Sequence, residues 1–208
     1  MVVQSSIRRF LTVSFLLAAC GGGGSSPGDD DTPPTDSPTG DGPTGACTAE
    51  SSYDAGAATS TGAAFGCETA GCAIADAEVV FVDGNLDADA SPDLFAIELY
   101  KGLGMFAGGI TTGSFPITGA EANYGTCGAC VLIYTDFDGT NIVDTYMATG
   151  GTLTITSLTP TVTGTVSNAT FTHVTVDDKT FESTPVGDCD SAATGDYAFS
   201  QTATELAQ

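Results

Sequence analysis

The sequence predicts an all-β fold: a single antiparallel β-sandwich-like domain of about eight or nine short strands, behind a signal peptide and a linker. Three observations predict it. Short runs rich in β-branched and aromatic residues recur every ten residues or so, with Gly- and Asp-rich stretches between them. No window keeps a helical period beyond about two turns. Six cysteines, an even number, follow the linker, as in an exported domain stapled by disulfides.

The strand-like runs, in order, are EVVFV (78–82), LFAIELY (94–100), GSFPI (113–117), CVLIYT (130–135), IVDTYMA (142–148), GTLTITS (151–157), TVTGTVSNATFTHVTV (161–176) and DYAFSQ (196–201). Leu153 and Ile155 alternate with Thr152, Thr154 and Thr156, the period of a half-buried strand. The alternation in 161–176 changes phase around Asn168, which predicts a bulge or tight bend there. Asp138-Gly139 is a strong turn signal between two runs, so 130–148 reads as a hairpin. On that reading Asp136 and Asp138 serve the turn.

The first twenty residues, MVVQSSIRRFLTVSFLLAAC, place Arg8 and Arg9 before a run from Phe10 to Ala19 that only Thr12 and Ser14 interrupt. A membrane-spanning helix takes about 20 apolar residues, so this run has the size of a signal-peptide core. Leu17-Ala18-Ala19-Cys20 resembles the lipobox of bacterial lipoproteins. The resemblance implies a signal peptide over 1–19, cleavage before Cys20, and a diacylglycerol thioether on the Cys20 sulfur as lipid attachment site. With more than one acyl chain the anchor is stable, because each buried CH₂ contributes about 0.8 kcal/mol. Gly21 follows Cys20, which by analogy with enteric lipoproteins favours the outer membrane. The expected location is therefore the cell envelope, lipid-anchored, at the outer membrane or cell surface.

Residues 21–46 contain only Gly, Pro, Ser, Thr, Asp and Ala46, with five of the nine prolines of the chain. No residue there can contribute substantially to a core, so 20–46 reads as a lipidated cysteine followed by a disordered tether. Its typical reach is roughly 30 Å.

Residues 47–208 form the expected disulfide-stabilised β domain. They hold Lys101 and Lys179 against 21 acidic side chains, a net charge of −19. Neutralising phosphates takes Lys and Arg, so nucleic acid is excluded as a partner on this reading. Divalent cations, basic proteins and neutral glycans stay open as partners.

Cys47, Cys67, Cys72, Cys127, Cys130 and Cys189 allow fifteen disulfide connectivities. The close pairs Cys67–Cys72 and Cys127–Cys130 read as local bridges, leaving Cys47–Cys189 to join the domain ends. CxxC at 127–130 also raises thiol–disulfide exchange, which requires the first cysteine at a helix N-terminus. Here the motif runs into VLIYT, a strand-like run.

Catalytic signals are scarce. His173 is the only histidine, and no G-x-S-x-G, H-E-x-x-H or P-loop occurs. The acidic composition leaves a two-carboxylate glycan hydrolase as an alternative. Against it, the chain has no Trp, and its only arginines precede the expected cleavage site. The richest candidate site is DGNLDADASPD (83–93). Asp83, Asn85, Asp87 and Asp89 recur at every second residue and Asp93 follows, a spacing that supplies calcium ligands in D-x-[DN]-x-[DN]-G loops. Ala88 stands where such loops carry Gly, and Leu94 where they close with Glu. The functional expectation is a tethered lipoprotein that is structural, adhesive or ligand-binding, with calcium as the one cofactor raised.

Overall fold

The computed structural model describes residues 47–207. The expected signal peptide over 1–19, the expected lipid attachment at Cys20 and the expected tether over 20–46 lie outside the described residues. The chain is all-β. Its strands are β1 (Tyr53–Asp54), β2 (Thr59–Gly66), β3 (Val79–Asn85), β4 (Leu94–Tyr100), β5 (Gly113–Pro116), β6 (Ala129–Tyr134), β7 (Thr145–Ser157), β8 (Val162–Val176), β9 (Ser183–Gln201) and β10 (Thr204–Glu205). Three single 3₁₀ turns are the longest helical pieces among the described residues, and no helix there is long and apolar enough to cross a membrane.

The strands form one mixed sheet in the order β1-β9-β8-β7-β6-β4-β3-β2-β10, with β5 added on β7. Most ladders are antiparallel; β1 on β9 and β10 on β2 are parallel. The expected antiparallel β-sandwich-like arrangement is therefore met only in part: the class is all-β, but the strands make one mixed sheet, with some contacts between strands far apart in its order. Phe95 on β4 stacks on Tyr197 of β9 with ring centroids 4.5 Å apart, although three strands separate β4 from β9 in the sheet. Phe95 also meets Phe171 of β8 edge-on at 5.8 Å.

The fold line runs through three irregularities that lie across from one another. The β7–β8 register shifts on either side of Gly150. On β8, Asn168 takes φ 52° where the β8–β9 register shifts between Ser167 and Ala169, at the predicted phase change. On β9, Gly195 takes φ 82°. Bulges bend a strand and raise its local twist, so three in line turn the sheet back. Gly151, at φ 110°, is required: a Cβ there would stand 2.8 Å from the Ala169 Cα. The same kink explains why 142–148 and 151–157 read as two strands. From Thr145 on they are one strand, β7, whose first part pairs with β6 and whose second part pairs with β5, while Ile142, Val143 and Asp144 belong to the connection before it.

Closure at the far side comes from the C-terminus. Gln201 Nε2 donates to the Ser60 carbonyl at 2.9 Å, and β10 then covers the free edge of β2 at Ala64 and Phe65. A covered edge cannot template pairing with another chain. The cysteines pair as Cys47–Cys189, Cys67–Cys72 and Cys127–Cys130, with Cα separations of 5.5, 6.1 and 5.3 Å. The first joins Cys47, ahead of β1, to β9. Beyond it, Thr48 Oγ1 donates to Asp144 at 2.8 Å and the Ala49 N–H donates to the Tyr146 hydroxyl at 3.3 Å, which fastens the entering segment across β7.

Both faces of β4 are buried, so LFAIELY shows no clean alternation. Phe95, Ile97 and Leu99 point into the main core with Val80, Val82, Val131, Ile133, Leu153, Val166, Phe171 and Phe199. Ala96 and Tyr100 join a second, smaller cluster on the opposite face, with Val79, Tyr124, Cys127, Cys130, Leu132, Met147 and Val174.

Candidate functional site

The smaller cluster contains a buried carboxylate. Glu98 lies between Ala96 and Tyr100 on β4 and is 3% exposed. Its Oε2 accepts the hydroxyls of Tyr100 at 2.7 Å and Tyr124 at 2.8 Å, and its Oε1 accepts that of Tyr134 at 2.9 Å. The Tyr100 and Tyr124 oxygens are 3.2 Å apart. A buried carboxylate is tolerable only when its oxygens are bonded, and here three phenols bond it. Burial first, and then the Glu98 charge, hold the Tyr100 and Tyr134 phenols well above the usual range.

Strand register accounts for two of the three tyrosines. Tyr100 follows Glu98 by two residues, hence shares its face. Tyr134 lies opposite Leu94 and Cys130 opposite Glu98, so both project from β6 on that same face. Tyr124 comes from the long connection before β6, and a second buried carboxylate fixes that connection. Glu121 accepts the backbone N–H groups of Met105 at 2.8 Å, Gly128 at 2.8 Å and Ala129 at 2.7 Å. Gly104, at φ 39°, makes room for it: a Cβ would stand 2.0 Å from Glu121 Oε1. The Tyr124 N–H also donates to Ser183 Oγ at 3.2 Å, tying the connection to β9.

Over this cluster lies an open groove of about 220 Å³. Its rings are Tyr124, Tyr134 and Phe181, its aliphatic walls Leu132, Ile142 and Val176, and its acidic rim Asp177 and Asp178. Ile142 and the adjacent Val143 are the exposed large hydrophobics among the described residues, 42% and 59% exposed. Asp177 caps the β8–β9 turn, accepting the N–H groups of Thr180 at 2.7 Å and Lys179 at 2.9 Å. Those two bonds, with the Thr180 hydroxyl, hold its carboxyl below the usual range. Phe181 closes the same turn at φ 62°, a conformation that Gly adopts freely and that costs an L-residue about 1–2 kcal/mol.

The sequence-predicted calcium residues are placed differently. Asp83 lies within β3 and accepts the Thr61 hydroxyl at 3.2 Å; burial raises its pKa. Asn85 ends β3. Asp87 accepts the N–H groups of Asp89 at 3.1 Å and Asp93 at 3.2 Å, shaping the loop. Asp93 is buried, accepts the Tyr53 hydroxyl and the Asp136 N–H, and has its pKa raised chiefly by burial. Among the described residues no group of three or more His, Cys, Asp or Glu stands in metal-holding geometry.

The other singled-out residues serve packing and turns. His173 stacks on Tyr146 at 5.0 Å and pairs with Asp144 at 3.1 Å, beside the entering segment. Asp138 accepts the N–H groups of Thr140 and Asn141, with Gly139 at φ 93°, as the hairpin reading of 130–148 expects. Cys127 and Cys130 are fully buried, and Cys130 lies within a strand.

Glu98 escapes sequence reading because a single acid inside LFAIELY looks like the solvent-facing residue of a strand. The one usable signal was its isolation: a glutamate in the middle of an otherwise apolar run, two residues before a tyrosine. Comparison with family models, with curated proteins and with solved structures gives no match to this chain.

Proposed function

We propose that the chain is a lipid-anchored protein of a bacterial envelope or cell surface that binds a ligand or partner without transforming it, with the groove over Glu98 as its binding face. The anchor half of the reading rests on the lipobox at Leu17–Cys20 and the Gly/Pro/Asp tether. The binding half rests on the character of the groove. Rings and aliphatic side chains make up most of its lining, and the carboxylate behind it is engaged by three phenols. Pockets that bind small molecules are built this way, mostly apolar with a few fixed polar groups.

The competing readings find less support. The two carboxylates of the lining, Asp177 and Asp178, are consecutive in one turn, whereas glycan hydrolysis takes a pair flanking the scissile bond. Thiol exchange takes an accessible, acidified thiol, and Cys127 and Cys130 are buried in the smaller core.

Two measurements test the proposal. Membrane fractionation of cells making wild type and Cys20→Ser should find the first in the membrane pellet and the second released or unprocessed. Quantitative pelleting of processed Cys20→Ser would refute the anchor. For the groove, the neutral fluorophore N-phenyl-1-naphthylamine should brighten with wild type and not with Ile142→Asp. Equal emission from the two would refute the groove as an apolar binding face.

A further inference from the structure

We propose that the groove over Glu98 is an ammonium-binding aromatic site, whose ligand is a small soluble quaternary ammonium compound of choline size carrying no phosphate. The inference rests on the groove being the binding face. It adds the chemistry of what binds there.

Three features of the groove point to a cation with a greasy coat. Tyr124, Tyr134 and Phe181 line the groove, and the face of an aromatic ring carries a negative quadrupole that attracts alkylated ammonium groups. The Tyr124 and Tyr134 hydroxyls both donate to the Glu98 carboxylate. A phenol that donates to an anion gains electron density on its ring, which strengthens that attraction. Asp177 and Asp178 then stand at the rim of a domain with two lysines against 21 acids, so the field at the groove favours a positive ligand.

The same acids decide between possible sources of the ammonium group. A phosphocholine headgroup would bring a phosphate to a groove lined by Asp177 and Asp178, on a domain with two lysines against 21 acids, where like charges repel. A free ammonium compound has no such conflict. The volume of about 220 Å³ is below that of pockets for drug-sized ligands and matches a small one.

Phe181 supplies an independent observation. A bulky residue at φ 62° is an uncommon and strained choice where the turn would accept Gly. Such strain persists where surrounding structure holds it and concentrates at ligand sites. Here it places a ring on the groove wall.

The test is isothermal titration calorimetry on the full-length protein in a maltoside detergent, which carries no ammonium group. Choline is titrated against 3,3-dimethylbutan-1-ol, its uncharged carbon isostere, and against phosphocholine, at matched ionic strength. The expected result is choline binding at least about tenfold tighter than the isostere, and phosphocholine weaker than choline. Phe181→Leu keeps bulk and removes the ring; it should lose most of the preference for choline over the isostere. Phe181→Tyr should retain it, with thermal melts confirming that both variants fold. Equal affinity for choline and isostere overturns the ammonium proposal and leaves an apolar binding groove. Binding of neither overturns the ammonium proposal, and the fluorophore measurement then decides separately whether the groove is an apolar binding face. Tighter phosphocholine than choline overturns the assignment to a phosphate-free ligand. An unchanged choline preference in Phe181→Leu overturns the aromatic mechanism.

Discussion

Replacing Glu98 by alanine removes the common acceptor of three phenols without touching the main core. The size of the effect follows from where those phenols sit. Tyr100 and Tyr124 are 3% and 5% exposed, so water cannot readily replace the carboxylate, whereas Tyr134 as a whole is half-buried. Each buried hydroxyl left without an acceptor costs about 1–3 kcal/mol. The Tyr100 and Tyr124 oxygens are already 3.2 Å apart and can bond each other, which recovers part of one loss. Relief of the desolvation of Glu98 offsets a further part. The expected destabilisation is therefore about 2–4 kcal/mol. Glu98→Gln should cost less, because its amide oxygen still accepts while its NH₂ makes a phenol reverse its role. The assay is urea unfolding with the disulfides intact, followed by circular dichroism and by tyrosine emission, which no tryptophan masks in this chain. The slope against urea should not change. A loss below about 1 kcal/mol, or a gain, would show that the buried charge costs as much as its three bonds return, and the argument for a stabilising cluster would fail.

Three further outcomes are expected. Stability should be higher at pH about 5 than at pH about 8, and should fall again in strong base. Asp83 and Asp93 have raised pKa values, chiefly from burial, so their contribution is full below the ordinary 3.8 and is lost as pH rises through the raised values. The Tyr100, Tyr134 and Tyr197 phenols are also raised by burial, Tyr197 to about 12, so their contribution is full below the ordinary 10.0 and is lost above it. Asp138 and Asp177 are lowered by hydrogen bonds and oppose this trend only as pH falls below 3.8. Thermal melts at constant ionic strength measure the profile, and a maximum at pH about 8 would contradict it. Replacing Cys47 and Cys189 together by serine opens a loop of sequence separation 142 and should cost about 4–5 kcal/mol on the chain-entropy model. A melting temperature within a degree or two of wild type would show that the bridge constrains little. Calcium at the 83–93 loop predicts a thermal shift specific to CaCl₂ over MgCl₂ at matched ionic strength, diminished in Asp89→Ala, which leaves the bonds accepted by Asp87 and Asp93 in place. Equal shifts from both salts would assign the loop carboxylates to turn chemistry alone.

Local chemistry made much of the fold legible. β-branched runs between Gly and Asp turns marked most of the strands, because strand preference and turn preference are local properties. The phase change at Asn168 marked a bulge because side chains alternate strictly along a strand, so one inserted residue leaves a trace in sequence. The pairing of Cys47 with Cys189 followed from the close spacing of the other four cysteines. The residues missed are those whose environment depends on distant chain. The first part of β9, STPVGDCDSAAT, lacks an apolar pattern, and it pairs along β8 because the turn at 177–182 delivers it there. β2 reads TSTGAAFG, too small and polar for a strand signal, and is held by β3 on one side and β10 on the other.

The same division runs through the candidate site. The sequence by itself carried the resemblance of Leu17–Cys20 to a lipobox, the Gly/Pro/Asp-rich composition of 21–46, the acidity, the β class and the turn role of Asp138, all set by residues near one another in the chain. It also ranked 83–93 highest, because ligand-type spacing is visible in one segment. Only the tertiary structure decided that Glu98, Tyr100, Tyr124 and Tyr134 share one buried cluster, and that Phe181 walls the groove beside it. Those five residues come from β4, β6, the connection before β6 and the β8–β9 turn. Their meeting depends on sheet register and on the Glu121 clamp, and a carboxylate in an apolar strand is stable only once the three phenols have arrived.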